Sequence, residues 1–122
     1  MRSQWLVICR ADTGGRFIKK LERVLRRPLL EVRSSRATAR DGQQEWLEFY
    51  VEHDATAWRE VVFDLLETAR RVTPGWQVTL IDLDGAFSGL CEGGSLGHQK
   101  TPPGFLQISW TLRRNQQYGR LV

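Results

Sequence analysis

Long apolar runs are missing from this chain of 122 residues. No stretch approaches the roughly 20 residues needed to cross a bilayer. The run Trp5-Leu6-Val7-Ile8-Cys9 is too short for the core of a signal peptide, and no small-residue cleavage site follows it. The expectation is a cytoplasmic protein with no membrane partner. Cysteine is scarce too. Cys9 and Cys91 are the only two, too few for a disulfide framework. Cys9 lies in an apolar, strand-like run and reads as a small core hydrophobe. Neither Cys-x-x-Cys nor His-x-x-x-His occurs, and a zinc site needs three or four ligands. No metal, cofactor or catalytic residue is therefore assigned.

Acidic residues are absent from residues 93–122, which carry four basic groups. The rest of the chain is segregated. Residues 1–40 hold eleven Lys/Arg and three Asp/Glu, and residues 41–92 hold three and eleven. The net charge of +4 is a poor guide to the surface, since folding can interleave these segments. A uniformly basic nucleic-acid binder is not what this layout describes. Composition is otherwise that of a folded domain, 41% hydrophobic and 26% charged. One domain is expected over 1–114, with 115–122 as a C-terminal tail.

Periodicity supplies the elements. Residues 4–10 read as a strand, and Asp12 or Thr13 is placed to cap a helix. From Arg16 to Arg27 the apolar Phe17, Ile18, Leu21, Val24 and Leu25 share one helical face, and Pro28 ends the run. Leu29–Arg36 alternates as a second strand, and Asp41-Gly42 is a hairpin signal. Trp46–Glu52 is the clearest strand, with Leu47, Phe49 and Val51 on one face and Trp46, Glu48, Tyr50 and Glu52 on the other. Asp54 can cap a second helix that buries Trp58, Val61, Val62, Leu65, Ala69 and Val72. Trp76–Asp82 reads as a fourth strand. Residues 83–104 read as a Gly-rich loop, and Phe105–Leu112 as a fifth strand with Leu106, Ile108, Trp110 and Leu112 on one side. The order predicts an α+β fold: a ferredoxin-like βαββαβ antiparallel sheet with an added fifth strand and both helices on one face.

Three places could carry function. The 83–104 loop holds six of the eleven glycines and has Asp82, Asp84, Cys91, Glu92 and His98 in or beside it. Long structureless loops are often functional. Gly93-Gly94-Ser95-Leu96-Gly97 has the G-x-S-x-G spacing, but it lacks the strand before and helix after that a nucleophile elbow requires. Gly89 to Gly94 has phosphate-loop spacing, yet Ser95 and Leu96 stand where Lys and Ser/Thr belong. The first helix presents Arg16, Lys19, Lys20, Arg23, Arg26 and Arg27 with Glu22 alone opposing, a landing site for phosphates or an acidic protein. Trp5, Trp46 and Tyr50 are candidates for an open sheet face where bases could stack. Glu48 and Glu52 on that strand would repel phosphate. His53, at a strand–helix junction, reads as a turn or capping residue.

In size, architecture and lack of a catalytic site, the chain resembles the cytoplasmic immunity proteins of bacterial toxin systems, such as contact-dependent growth inhibition. That resemblance implies a protein that binds one toxin domain and blocks it. The expected partner-binding residues are Arg16, Lys19, Lys20, Arg23, Arg27, Trp46, Tyr50 and His98. The alternatives are a ligand-binding protein or enzyme using the 83–104 loop as a lid, and an RNA-binding domain. Pairing of two copies through the sheet is a further expectation.

Overall fold

A computed structural model describes residues 1–40, 42–82, 85–92 and 105–114, with only the backbone described at Leu80, Ile81, Asp82, Phe87 and Glu92. Two helices and six strands follow in the order β1 (Arg2–Arg10), α1 (Gly14–Leu25), β2 (Leu30–Ala39), β3 (Gly42–Glu52), α2 (Trp58–Val72), β4 (Gln77–Asp82), β5 (Ala86–Glu92) and β6 (Phe105–Arg113). The strands form one open sheet in the order β2-β3-β1-β6-β5-β4, antiparallel throughout. Among the described residues no helix is long and apolar enough to cross a membrane.

The fold is α+β, but its strand order departs from the ferredoxin-like arrangement. There the strand after the second helix would lie beside β1. Here β6 takes that place, and β4 lies at the far edge. The side chains explain the exchange. β6 offers Ile108, Trp110 and Leu112, all buried, to the centre of the sheet, whereas Gln77, Val78 and Thr79 of β4 are exposed. The extra strand is β5, inside the segment expected to be a loop. Its backbone pairs with both β4 and β6. Gly89 stands opposite Trp110, and a Cβ there would fall 2.3 Å from the indole Cζ2. A glycine that reads as loop-forming is the place where the strand makes room for a tryptophan. Leu106 does not join the buried row of β6. The register shifts between Ile8 and Cys9, so that Phe105 takes the place opposite Cys9 and is buried.

Odd-numbered residues of β1 and β3 (Trp5, Val7, Cys9, Leu47, Phe49 and Val51) form one core with Phe17, Leu21 and Leu25 of α1 and Val61, Leu65 and Ala69 of α2. Both helices thus cover the same face of the sheet. Trp5 is at the centre. It stacks on Phe49 at 6.0 Å and meets Trp76 edge-on at 6.0 Å. Trp76 also packs 6.0 Å from Trp110 and donates its indole N–H to the Ala69 carbonyl. The expectation that Trp5 lies on the open face is therefore wrong. Its parity along β1 matches Val7 and Cys9.

The helix starts differ from those expected. Asp12 adopts a left-handed backbone (φ 69°), and the Thr13 hydroxyl bonds back to the Arg10 carbonyl, so neither caps α1 with its side chain. The cap comes from across the fold: the Glu45 carboxylate accepts the Gly14 N–H at 2.9 Å and a hydrogen bond from the Ser34 hydroxyl. A carboxylate at a helix N-terminus also complements the helix dipole. α1 ends at Arg26, in a left-handed conformation (φ 57°). α2 begins at Trp58 with Ala57 as its N-cap, so Asp54 lies outside the first turn.

Replacing Gly89 with Ala should destabilise the protein by about 1–3 kcal/mol, as overpacking does, because the added methyl collides with Trp110. Gly15→Ala is the control. It meets nothing within 4 Å on an exposed helical position, so the fold should gain up to about 1 kcal/mol. Urea unfolding of the two variants measures both.

Candidate functional site

The outer surface of α1 follows from its own periodicity. With Phe17, Leu21 and Leu25 turned inward, Arg16, Lys19, Arg23 and Arg26 are exposed and Lys20 is half-buried. Among the described residues no carboxylate lies within ion-pair distance of these five cations. Some basic residues elsewhere are matched by carboxylates: Arg2 pairs with Glu31 and Glu52, Arg36 with Asp12, and Arg71 with Glu67. Arg27, expected on the basic outer face, is turned elsewhere. Its guanidinium makes a two-pronged pair with Asp64 of α2, at 2.5 and 2.6 Å.

Trp46 and Tyr50 occupy the opposite side of the sheet, on the face without helices. Trp46 is 38% exposed and donates its indole N–H to Gln44, while Tyr50 is half-buried. Between them stands Glu48, which accepts a hydrogen bond from Gln4 at 3.0 Å. Gln4, Trp5, Leu6, Glu48, Ser109 and Thr111 line a shallow depression of about 250 Å³. The sheet separates these aromatics from α1, so the expected partner-binding residues form two distinct surfaces rather than one. His98 lies outside the described residues. Cys91 belongs to β5 and is buried, as is Cys9, whose thiol pKa is pushed up by burial. Among the described residues no group of three or more His, Cys, Asp and Glu is arranged to hold a metal ion.

A chemically suggestive group surrounds His53, for which the sequence predicts only a turn or capping role. His53 is 1% exposed. Its Nε2 is 2.8 Å from the Ser3 hydroxyl and its Nδ1 is 2.6 Å from Asp64. A Ser–His–Asp chain in this order is the arrangement of a serine nucleophile with its base. Here it is sealed. Ser3 is fully buried, and its oxygen also accepts the Trp5 indole N–H at 2.9 Å. Nothing outside the core can approach that oxygen. The arrangement instead satisfies polar groups taken into the core, which are costly when left unpaired. The Asp64 carboxylate can only accept, so Nδ1 carries the proton and donates to it. That leaves Arg27 Nη1, 3.3 Å from Nδ1, with no lone pair to bond there. Ser3, whose oxygen takes the Trp5 N–H, donates to Nε2. Arg27 adds its pair to Asp64 and a bond from Nη1 to the Glu52 carbonyl. One polar chain thereby ties the turn after α1 to α2, β1 and the end of β3. Only the spatial meeting of Ser3, His53 and Asp64 reveals it, since their spacing along the sequence matches no local motif.

The electrostatics agree with a neutral imidazole. Burial lowers the His53 pKa, with Asp64 opposing and Arg27 and the N-terminal amine adding to the depression. Asp64 is lowered to about 2, chiefly by its bonds from Arg27, with burial opposing and His53 assisting. Glu52, held by the N-terminal amine and Arg2, is lowered as well.

Comparison with protein-family models, curated proteins and solved structures finds no match.

These shifts set a pH dependence. Below the ordinary His value of about 6.5 the unfolded chain takes up a proton that the fold resists, so stability must fall as pH falls. Asp64 adds a second loss further down, below the ordinary carboxylate range. Unfolding free energy should decrease from about pH 7 to about pH 5, and His53→Gln should flatten most of that slope. Urea titrations across this range provide the measurement. An unchanged slope in the variant would assign the dependence to other groups.

Proposed function

We propose that this chain is a protein-binding module that recognises an acidic surface of its partner through the outer face of α1. The observation that carries the reading is the clustering of unmatched cations on one helix. Arg2, Arg27, Arg36 and Arg71 are matched by carboxylates, while Arg16, Lys19, Lys20, Arg23 and Arg26 are left without one among the described residues. Like charges three and four residues apart on a helix repel mildly. A partner's carboxylates relieve that repulsion, and the same field speeds encounter. A toxin-neutralising immunity protein of bacteria is the specific form we favour. It acts by covering a toxin domain in the cytoplasm. Two buried cysteines that form no disulfide suit a reducing compartment.

RNA binding is less well supported. The stacking platform it needs loses Trp5 to the core, and Glu48 stands between Trp46 and Tyr50. The depression lined by Gln4, Glu48, Ser109 and Thr111 supports a second reading, a small polar ligand held on the open sheet face.

Affinity capture at low salt, followed by association kinetics with the captured protein, tests the α1 reading. Arg16→Glu with Arg23→Glu should slow association about tenfold or more and flatten its dependence on salt. Arg59→Glu, on the exposed side of α2, serves as the control. An association rate and salt dependence unchanged by the α1 pair would exclude α1 as the contact.

A further inference from the structure

Among the described residues the β2 edge of the sheet is uncovered. β2 is ten residues long, against six for β4 at the other edge. Every residue from Glu31 to Arg36 is exposed, those on the helix side included, so among the described residues neither the helical layer nor a neighbouring segment shields the strand. No proline interrupts it. From Arg33 to Ala39 its pairing with β3 is regular, Arg33 opposite Glu48 and Ala39 opposite Gly42. The irregularity is confined to the start, between Leu30 and Arg33, where Glu31 has φ 51° and is held by Arg2. An edge of this kind presents unpaired backbone N–H and C=O groups to any extended chain.

Its charge decides which chain fits. Val32–Ala39 holds Arg33 and Arg36 with no acid, and Arg40 follows. Arg36 is engaged by Asp12, while Arg33 and Arg40 have no carboxylate within ion-pair distance among the described residues. A second copy paired antiparallel about Ser34 and Ser35 would set Arg33 against Arg36 twice, and like charges directly opposite destabilise a sheet. An acidic strand meets the opposite situation.

We infer that the β2 edge accepts an extended acidic segment of a protein partner as a seventh, antiparallel strand. The backbone supplies the ladder, and Arg33 and Arg40 select for carboxylates. This deepens the protein-binding reading above and rests on it, but uses a surface other than α1.

The test is amide NMR of the full chain with three probes: a blocked decapeptide alternating Glu and Val, its Lys/Val counterpart, and a short oligothymidylate. The Glu/Val peptide should shift the amides of Arg33–Ala39 saturably and slow about tenfold the hydrogen exchange of the alternate amides that point away from β3. Raising salt to about 0.5 M should weaken the effect. Arg33→Gln with Arg40→Gln should weaken it severalfold, while the amides of β1 and β6 keep their shifts and so report an intact fold. The Lys/Val peptide should leave β2 unchanged. Shifts by the Glu/Val peptide confined to α1 would overturn the edge proposal and leave the α1 reading standing. No shift anywhere at millimolar peptide would overturn it too, with the α1 reading judged separately by its association kinetics. Shifts of β2 by the oligothymidylate alone would replace a protein strand with nucleic acid.

Discussion

The contact on which the arrangement of layers depends is the hydrogen-bonded chain from Arg27 through Asp64 and His53 to Ser3. Burying a polar group without a partner costs about 1–3 kcal/mol, more for a charged one. Each member of this chain is satisfied only if the others are in place. Ser3 comes from β1, His53 from just after β3, Asp64 from α2, and Arg27 from the turn after α1. An apolar core tolerates sliding of one helix over another far better than a polar chain tolerates losing a member. The tryptophans supply bulk around it, and the Trp5 indole N–H ends the chain on the Ser3 oxygen. A Ser–His–Asp order that would suggest catalysis in a cleft acts here as a clamp, because the serine and imidazole have no path to solvent.

The clamp also sorts the charges. The basic first third of the sequence and the acidic middle are brought side by side, and several pairs form across that boundary, Arg2 with Glu52 and Arg27 with Asp64 among them. Segregation along the chain is thus partly cancelled in space. Among the cations that escape pairing with the described carboxylates are those on the outer face of α1, which points away from α2 and the sheet, and Arg33 and Arg40 at the β2 edge. Those two remnants are the surfaces to which a binding role is assigned, and both favour a partner rich in carboxylates.

Much of this was legible in the residues. The period of Phe17, Leu21 and Leu25 fixes the buried side of α1, and the alternation in Leu47–Val51 fixes that of β3. The failures share a cause, which is that long-range contacts decided them. β5 is written in small residues around Gly89, and only the indole of Trp110, more than twenty positions away in sequence, makes that glycine a strand residue. Arg27 follows the basic pattern of its neighbours, yet it lies just past the helix, where the left-handed Arg26 redirects the chain towards Asp64. The helix cap is long-range as well: α1 is capped by Glu45 from β3 rather than by the local Asp12 or Thr13. His53 looked like a junction residue because its partners Ser3 and Asp64 lie far apart in the sequence. A sheet with its last three strands returning toward β1 could not be told from a ferredoxin-like one while β5 was hidden.

The claim that the buried chain is a neutral clamp is tested most directly by the nitrogen NMR signals of the His53 ring at neutral pH. The account predicts a single neutral tautomer with the proton on Nδ1, bonded to Asp64, and a bare Nε2 accepting from Ser3. A protonated Nε2, an imidazolium, or a ring exchanging freely between tautomers would contradict it.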